Sequence, residues 1–571
     1  VNYAHVFILI LIGLLQGCVL APLACALCLA SLFSFIDKRI RRDDPGAMSV
    51  AVVDDLTLCA DEKVAVEAAK EFKALGPAYG GFLNAPKTIV AGLDPIATVP
   101  PATLEGAKRV MISEGFDVGS SPGVNGARLL GSPMGPEDYC SKYLTDRFNT
   151  NYKSLFPKIC QLNHPHAAWR LYQRINAQSG CVHIFRTTPP NLLQSAFPEI
   201  EREIRSFLGE AVFRCALNDT GWAIVQFPFD LGGWNVTPLE ILAPCSYLAS
   251  LLANREMILA RRPGAAERIE SEIQQTIALI TKTCPNAKLP ELKPTTKQRE
   301  LVRACMEARV AAFLAKADTR TQALLRGLQQ SHAGRWKSAA HTPEMFFPAD
   351  QFMAIARFQI AQPMPEVMHQ VTCPCCKKVP LDPYGDHALI CMNTGDVSNR
   401  HNSLYKVLVA EARAGMISLT VESALAISST QTYSADFIVA RGIPGFRDGP
   451  TAIDLTITHT LNPSTVVRAA NEDLIAADLA GRRKDKEIKA NVEKLNYHFL
   501  PLPFETTGGH SEEVATLVHY IANQKSLMTG IPFGEVANRI WELLSVTLQQ
   551  ANAFALNKRY FELITPEDEL P

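Results

Sequence analysis

Three closely spaced cysteines and one histidine constrain the local fold of this chain more than any other feature of its sequence. Their spacing is Cys373-x2-Cys376-x10-His387-x3-Cys391. This pattern fits a tetrahedral zinc site with three thiolates and one imidazole, and a turn at 382–385 would return the chain to the metal. Cys375 is an alternative to Cys376, although a two-residue spacing is the commoner geometry. Because four protein ligands close the site, Zn²⁺ would fold this segment and would not catalyse.

The bulk composition describes a large globular protein. A length of 571 residues predicts several domains, because one hydrophobic core rarely serves more than about 250–300 residues. The net charge of -1 gives no overall attraction to nucleic acid, so any such interface must come from a local basic surface. Most of the 15 cysteines lie singly in apolar segments, which is typical of reduced thiols in an intracellular protein.

An apolar run opens the chain, and it admits more than one interpretation. A signal peptide would have a basic start, and Gln16-Gly17 and Pro22 interrupt the run. A membrane anchor needs about 20 apolar residues, which the stretch to Ser31 could just supply. The first residue is Val1 and not Met, which favours a chain that begins within a domain. We therefore expect a buried strand and helix here, and no membrane partner.

Hydrophobic periodicity predicts a multidomain α+β and α/β protein. Helices are expected at 62–75, through most of 139–337 and at 471–497, with breaks at Pro189-Pro190 and at the linker candidate 285–294. Strands are expected at 51–58, 418–421, 435–440, 451–458 and 499–505. Strands that alternate with helices in the last third indicate an α/β domain with a mixed sheet.

Asp54 and Asp55 lie together in an apolar strand, between Val53 and Leu56. Two adjacent ionised carboxylates repel each other, and their burial is costly unless cations neutralise them. Phosphoryl transfer by two divalent ions uses such an arrangement. The alternative is a hairpin end at which both acids are solvated.

Four ordered segments, including this pair, resemble successive motifs of a non-LTR retrotransposon reverse transcriptase palm. They are Gly13–Leu23, Ala51–Leu58, Gly81–Thr88 and Leu129–Gly135. The resemblance implies that Asp54 and Asp55 are catalytic with Mg²⁺ or Mn²⁺, and that Gln16, Gly17 and Lys87 contact nucleotide or template. Val52 departs from the family's usual aromatic residue. The family's first metal-binding aspartate would lie upstream of Gly13, so we expect no polymerase activity from this chain alone.

A second acidic pair, Asp436 and Asp454, is set in two further apolar strands. Adjacent strands could bring the two carboxylates to one point, as a metal-dependent nuclease requires. A basic helical run that follows, 482–489, is either a solvated face or a phosphate-contacting surface. In the second case Lys486 or Lys489 would stabilise charge at the scissile phosphate.

The order of the zinc motif, Arg400-His401-Asn402, the two aspartates, the basic helix and Glu505 resembles the endonuclease of site-specific non-LTR retrotransposons. That domain belongs to the PD-(D/E)XK nuclease class. Ala435 replaces the family's proline and Thr456 its strand lysine, so the lysine would come from the helix. The choice between Lys486 and Lys489 stays open, and Glu505 either completes the site or anchors the end of the sheet.

The resemblance implies target-primed integration by a nuclear enzyme whose partners are target DNA and template RNA. The expected domains are a partial palm (1–138), a helical thumb and connector (139–284), a linker and helical connector (285–360), a zinc knuckle (361–400), the nuclease (401–510) and a C-terminal helical segment (511–571). DNA nicking is expected to persist more readily than DNA synthesis. The alternatives are a decayed, non-catalytic nucleic-acid-binding remnant and a membrane-anchored protein of unrelated function.

Overall fold

A computed structural model describes most of the chain as a mixture of helices and sheets. The described residues are 6–11, 21–45, 47–52, 55–79, 90–92, 109, 112–113, 124–175, 179–339, 342–364, 372–426, 432–444 and 446–561. The predicted combination of α and β structure is confirmed at this level. None of the described helices is both long and apolar enough to cross a membrane.

The N-terminal part contains a five-stranded sheet in the order β2-β3-β1-β4-β5. Its strands are β1 (Val6–Leu11), β2 (Met48–Val52), β3 (Asp55–Ala60), β4 (Val90–Gly92) and β5 (Val124–Asn125). The single strand predicted at 51–58 is instead a hairpin, because Val52 pairs with Asp55 across two antiparallel strands. A hairpin end was the alternative interpretation of the two adjacent acids, and the strand reversal agrees with it.

Two helices, α1 (Ala21–Asp43) and α2 (Glu62–Leu75), form a small core with this sheet. The bounds of α2 agree with the predicted helix. Asp61 caps its start, because the Asp61 side chain accepts a hydrogen bond from the Lys63 N–H and so satisfies one free donor of the first turn. Phe72, on α2, is fully buried in the core.

A short hairpin, β6 (Ala127–Leu129) and β7 (Ser132–Met134), leads into a long helical region. Its helices are α3 (Glu137–Asn151), α4 (Phe156–Cys160), α5 (Pro165–Ile175), α6 (Val182–Thr187), α7 (Phe197–Leu208), α8 (Asp219–Gln226), α9 (Leu239–Arg261), α10 (Ala266–Thr283), α11 (Gln298–Leu314), α12 (Thr319–Leu328) and α13 (Ala349–Gln359). The helical character predicted for 139–337 is therefore confirmed. Three buried tryptophans, Trp169, Trp234 and Trp336, pack edge to face at its centre.

The linker candidate, 285–294, connects α10 to α11. Buried residues on both sides of it, Ile280 and Leu301 among them, belong to the same hydrophobic cluster. The segment thus joins two helices that share one core.

The last third contains a four-stranded mixed sheet in the order β13-β12-β9-β8. Its strands are β8 (Leu419–Ala426), β9 (Thr432–Val439), β12 (Thr451–Thr458) and β13 (His498–Glu505). The small hairpin of β10 (Gly442–Ile443) and β11 (Arg447–Asp448) joins β9 to β12. The strands β12 and β13 are parallel, and a helical crossover connects them, as parallel pairing requires.

Seven α-helices of this part of the chain accompany the sheet. They are α14 (Asp386–Ile390), α15 (Asp396–Ala414), α16 (Val466–Ala469), α17 (Ile475–Lys484), α18 (Ala490–Glu493), α19 (Glu512–Thr529) and α20 (Phe533–Tyr560). A π-helix, Asp485–Lys489, separates α17 from α18. Buried residues of α15, α19 and α20 pack in one cluster with the strands, while Val492 of α18 packs with Ala435 and Ala452 in another.

The last helix, α20, joins the sheet to the helical region. Its Ser545 accepts a hydrogen bond from the backbone of Trp336 (3.2 Å). Its Asn552 donates to the carbonyl of Thr506, just beyond β13 (2.8 Å). Near its end, Arg559 binds Asp396 at the start of α15 (2.9 Å). One helix thus contacts both halves of the molecule.

Candidate metal centre and acidic site

The four residues of the predicted zinc motif converge in space. The ligand atoms of Cys373, Cys376, His387 and Cys391 all lie within 4.8 Å of one another. The Sγ atom of Cys376 lies 3.5 Å from Nε2 of His387, and Cys373 and Cys391 are buried. Three sulfurs and one imidazole nitrogen at this separation could hold Zn²⁺ in tetrahedral geometry.

Asp382 shapes the turn that brings His387 to the cluster. Its carboxylate accepts backbone N–H groups from Tyr384, Gly385, Asp386 and His387 at 2.7–3.0 Å. Gly385 has a φ of +93°, a conformation that side chains other than glycine's rarely tolerate. The predicted turn at 382–385 is therefore present, and it starts α14.

The thiols at 375 and 376 differ in their surroundings. Backbone N–H groups of Lys378 and Val379 stabilise the Cys376 thiolate and lower its pKa from 9.0 to about 6. Burial raises the pKa of Cys375. A metal ligand must be the thiolate, so both the position and the chemistry favour Cys376.

Asp436 and Asp454 lie where two strands separate. The pairing of β9 with β12 ends at Ile453 and Phe437, and Asp454 and Asp436 are the next residues along their strands. The Leu455 N–H donates to Oδ2 of Asp436 (2.7 Å). The carboxylate thus accepts a hydrogen bond that a backbone carbonyl would accept in a continuous sheet.

Asp454 is buried, with 6% of its surface exposed, and two side chains hold its carboxylate. The Tyr433 hydroxyl donates to Oδ2 (2.8 Å). Lys484 Nζ lies 2.9 Å from Oδ2 and 3.2 Å from Oδ1. A buried carboxylate is tolerated only with such charged or hydrogen-bonding partners.

His401, on α15, contacts the other carboxylate. Its Nε2 lies 3.2 Å from Oδ2 of Asp436 and 3.1 Å from the carbonyl oxygen of Leu455. Both neighbours are acceptors, so Nε2 carries a proton. The hydrogen bond with Asp436 raises the pKa of His401, although burial opposes this effect.

The lysine next to the carboxylates is Lys484, whereas the sequence pointed to Lys486 or Lys489. Lys486 is exposed, and Lys489 lies 3.9 Å from Asp485. The family resemblance had favoured the two later lysines of the basic run. Lys484 is the last residue of α17, directly before the π-helix that begins at Asp485.

Glu505 does not join the two aspartates. It is 1% exposed and accepts the backbone N–H groups of Ala476 and Ala477 (3.2 Å each) and the Thr460 hydroxyl (3.1 Å). Burial raises its pKa. Along β12 and β13, Asp454 pairs with Pro501 and Glu505 with Thr458, four positions or roughly 13 Å further on. Glu505 therefore caps the start of α17, and its part in the site stays a prediction.

The palm motif residues fall largely outside the described part of the chain. Gln16, Gly17, Asp54 and Lys87 are outside it, and Asp55 is described only as the first residue of β3. Their assignments stay predictions.

The acidic site combines two carboxylates, one ammonium group and one imidazole. Paired carboxylates suit a hard divalent cation, and an ammonium group can stabilise charge that develops on a phosphate. Three contributors that sequence reasoning did not assign are Lys484, Tyr433 and His401. In comparisons with protein-family models and with curated proteins, nothing matches this chain.

Proposed function

We propose that this protein is a metal-dependent DNA endonuclease. The observation that carries the proposal is the position of Asp436 and Asp454 at the divergence of β9 and β12, with Lys484 bound to Asp454. An acid from each of two separating strands and a nearby lysine are the elements that phosphodiester hydrolysis by a metal-dependent nuclease requires.

Asp436 and Asp454 would hold Mg²⁺ or Mn²⁺. When bound, such an ion polarises the scissile phosphate and lowers the pKa of a coordinated water. Lys484 neutralises Asp454 when DNA is absent and is placed to stabilise negative charge on the phosphate. Tyr433 keeps the Asp454 carboxylate oriented. His401 orients Asp436 through the proton on its Nε2.

We further propose the finer assignments that the sequence resemblance supplies. The four-stranded mixed sheet would be a PD-(D/E)XK nuclease core, preceded by a structural zinc knuckle, a helical thumb and connector and a partial reverse transcriptase palm. The chain would then be part of a non-LTR retrotransposon protein that nicks target DNA in the nucleus and uses template RNA. The support is the ordered set of motifs, together with the Cys₃His cluster directly before the nuclease sheet.

Nicking of supercoiled plasmid by the full chain tests the endonuclease. We expect Mg²⁺- or Mn²⁺-dependent conversion to the open circle, which EDTA prevents. Asp436→Asn and Asp454→Asn should each lose nicking by about 10²-fold or more while the protein stays folded. Asp448→Asn is the matched control, because Asp448 is exposed on the β10–β11 hairpin of the same domain.

A folded protein that binds DNA but never nicks it, with either ion, would instead favour the non-catalytic remnant. Undiminished nicking by both asparagine variants would exclude the assigned site.

A further inference from the structure

A surface cavity of about 650 Å³ lies in the helical region. Its wall is formed by α6, α9, the segment that leads into α11 and the first residues of α11. Neither the zinc cluster nor the acidic site contributes a residue to it. Its volume is within the range of pockets that hold nucleotide-sized ligands.

The charge of this cavity is positive. Arg186, Lys297 and Arg299 line it, and among the described residues of its wall none carries a carboxylate. The whole chain has a net charge of -1. The excess of positive charge in this wall is therefore a local feature and does not follow from the overall composition.

Three other surface cavities of the chain differ in this respect. Their volumes are about 730, 290 and 560 Å³. Each has at least one acid in its wall: Glu210 in the first, Glu256 and Glu270 in the second, and Asp350 in the third. Of these four cavities, only the 650 Å³ cavity has cations and no acid in its described wall, which makes it suited to an anion.

The partner of Arg186 is neutral. Its Nε and Nη2 both donate to Oε1 of Gln298, at 3.3 and 3.2 Å. By contrast, Arg303 binds Glu307 and Asp230, and Arg309 binds Glu240. An amide holds the guanidinium in place without cancelling its charge, so Arg186 keeps its capacity for a charge-assisted bond to an incoming anion.

The segment that carries Lys297 and Arg299 is fixed by its neighbours. Thr296 is buried, accepts a hydrogen bond from the Lys293 N–H (2.8 Å) and donates to the Glu291 carbonyl (3.2 Å). Leu301, in the first turn of α11, is fully buried. The two cations therefore project from an ordered backbone.

The remaining wall offers both polar and apolar groups. Ser250 and Asn254 lie on α9, and the Nδ2 of Asn254 donates to the Ser250 carbonyl (2.8 Å). Leu242 and Val302 add apolar surface. Phosphate, sugar and base together present this same combination of anionic, polar and apolar surface.

We propose that this cavity binds phosphate groups of a nucleic-acid strand, through Arg186, Lys297 and Arg299. The site does not depend on the endonuclease, because binding here needs neither the acidic residues nor a divalent ion. It would add a second anchoring point for nucleic acid on a protein whose net charge provides none.

Fluorescence anisotropy with a labelled oligothymidylate tests the proposal. The full chain is titrated in EDTA, which prevents cleavage, at several salt concentrations. Arg186→Gln and Arg299→Gln each remove one charge. The control is Arg303→Gln, on the same helix and one turn beyond Arg299, where the arginine already binds carboxylates. Thermal melts show that each variant is folded.

We expect each cavity variant to weaken binding several-fold and to reduce the salt slope of log K by about 0.7. The control should bind as the wild type does. Wild-type binding by both cavity variants would overturn the proposal, as would an equal loss in all three variants, because that would reflect general surface charge. A further experiment adds inorganic phosphate and measures the melting temperature of wild type and variants. If phosphate stabilises only the protein that keeps Arg186 and Arg299, while oligonucleotide affinity is the same in all of them, the cavity binds small anions and not a nucleic-acid strand.

Discussion

Lys484 donates to both carboxylate oxygens of Asp454, at 2.9 and 3.2 Å, although the two residues are 30 positions apart in the sequence. The lysine occupies the last turn of α17, and the aspartate is buried in the centre of β12. An uncompensated carboxylate would be disfavoured at that depth. The pair therefore connects the stability of the sheet with the chemistry of the site.

Replacement of Lys484 by glutamine should reduce nicking by about 10²- to 10³-fold, since one stabilising group for the phosphate is removed. Lys486→Gln is the matched control, because Lys486 is exposed two residues further on; it should keep the nick rate and weaken DNA binding only slightly. Single-turnover rates at saturating protein distinguish the two effects. Equal nick rates in both variants would show that Lys484 only neutralises Asp454.

Glu505→Gln should leave nicking within about threefold of wild type, because the side chain caps α17 and does not meet the aspartates. An amide oxygen can still accept the N–H groups of Ala476 and Ala477, so the loss in unfolding free energy should be about 1 kcal/mol. Chemical denaturation and plasmid nicking measure the two quantities. A loss of nicking comparable with that of Asp454→Asn would make Glu505 a metal ligand after all.

The purified chain should contain about one zinc ion, which elemental analysis measures. Cys376→Ser should lose most of it and expose 372–391 to protease, because metal binding here is coupled to local folding. Cys375→Ser should retain it, since the neighbouring thiol lies outside the ligand set. Loss of zinc from the Cys375 variant alone would reverse the assignment of the two cysteines.

His401 should make the metal-free protein more stable at acidic than at alkaline pH. Its pKa is raised in the folded state, so its contribution is complete below the unfolded value of 6.5 and is lost as the pH rises through the folded value. The contribution should be about 1 kcal/mol, since both partners retain some exposure to solvent. Urea unfolding in EDTA of wild type and His401→Asn, at pH 5.5 and 8.5, measures it. A stability difference that does not change with pH would falsify this assignment.

Some parts of the fold could be predicted from the sequence because the interactions that determine them lie within a short segment. The helix at 62–75 has its capping aspartate and its apolar spacing within a single segment, and the zinc ligands have a spacing that chemistry restricts. The segment 51–58 was expected as one strand, with a hairpin end at the two acids as the alternative, and the pairing of Val52 with Asp55 shows the hairpin.

The composition of the acidic site was less accessible. Asp436 and Asp454 stood out as acids inside apolar strands. His401 lies 35 residues before its partner Asp436, and nothing local to it indicates the contact. Lys484 belongs to the predicted basic run, but the family resemblance favoured the later lysines, and its contact with Asp454 is 30 residues away in the sequence. Glu505 lies four residues beyond Pro501, which is the partner of Asp454 across β12 and β13. Its distance from the two aspartates therefore follows only from that strand pairing.

The position of α20 affects which segments of the chain must stay together if the proposed nuclease domain is transferred to another protein. A cassette cut at 510 would include both aspartates and Lys484, yet it would leave Thr506 without Asn552 and Asp396 without Arg559. Ser545 of the same helix accepts a hydrogen bond from the backbone of Trp336. Transfer of α20 together with the sheet would therefore remove a contact of the helical region. A recombinant or fusion protein that keeps a stable fold should therefore contain the helical region, the sheet and α20 up to Tyr560 as one piece.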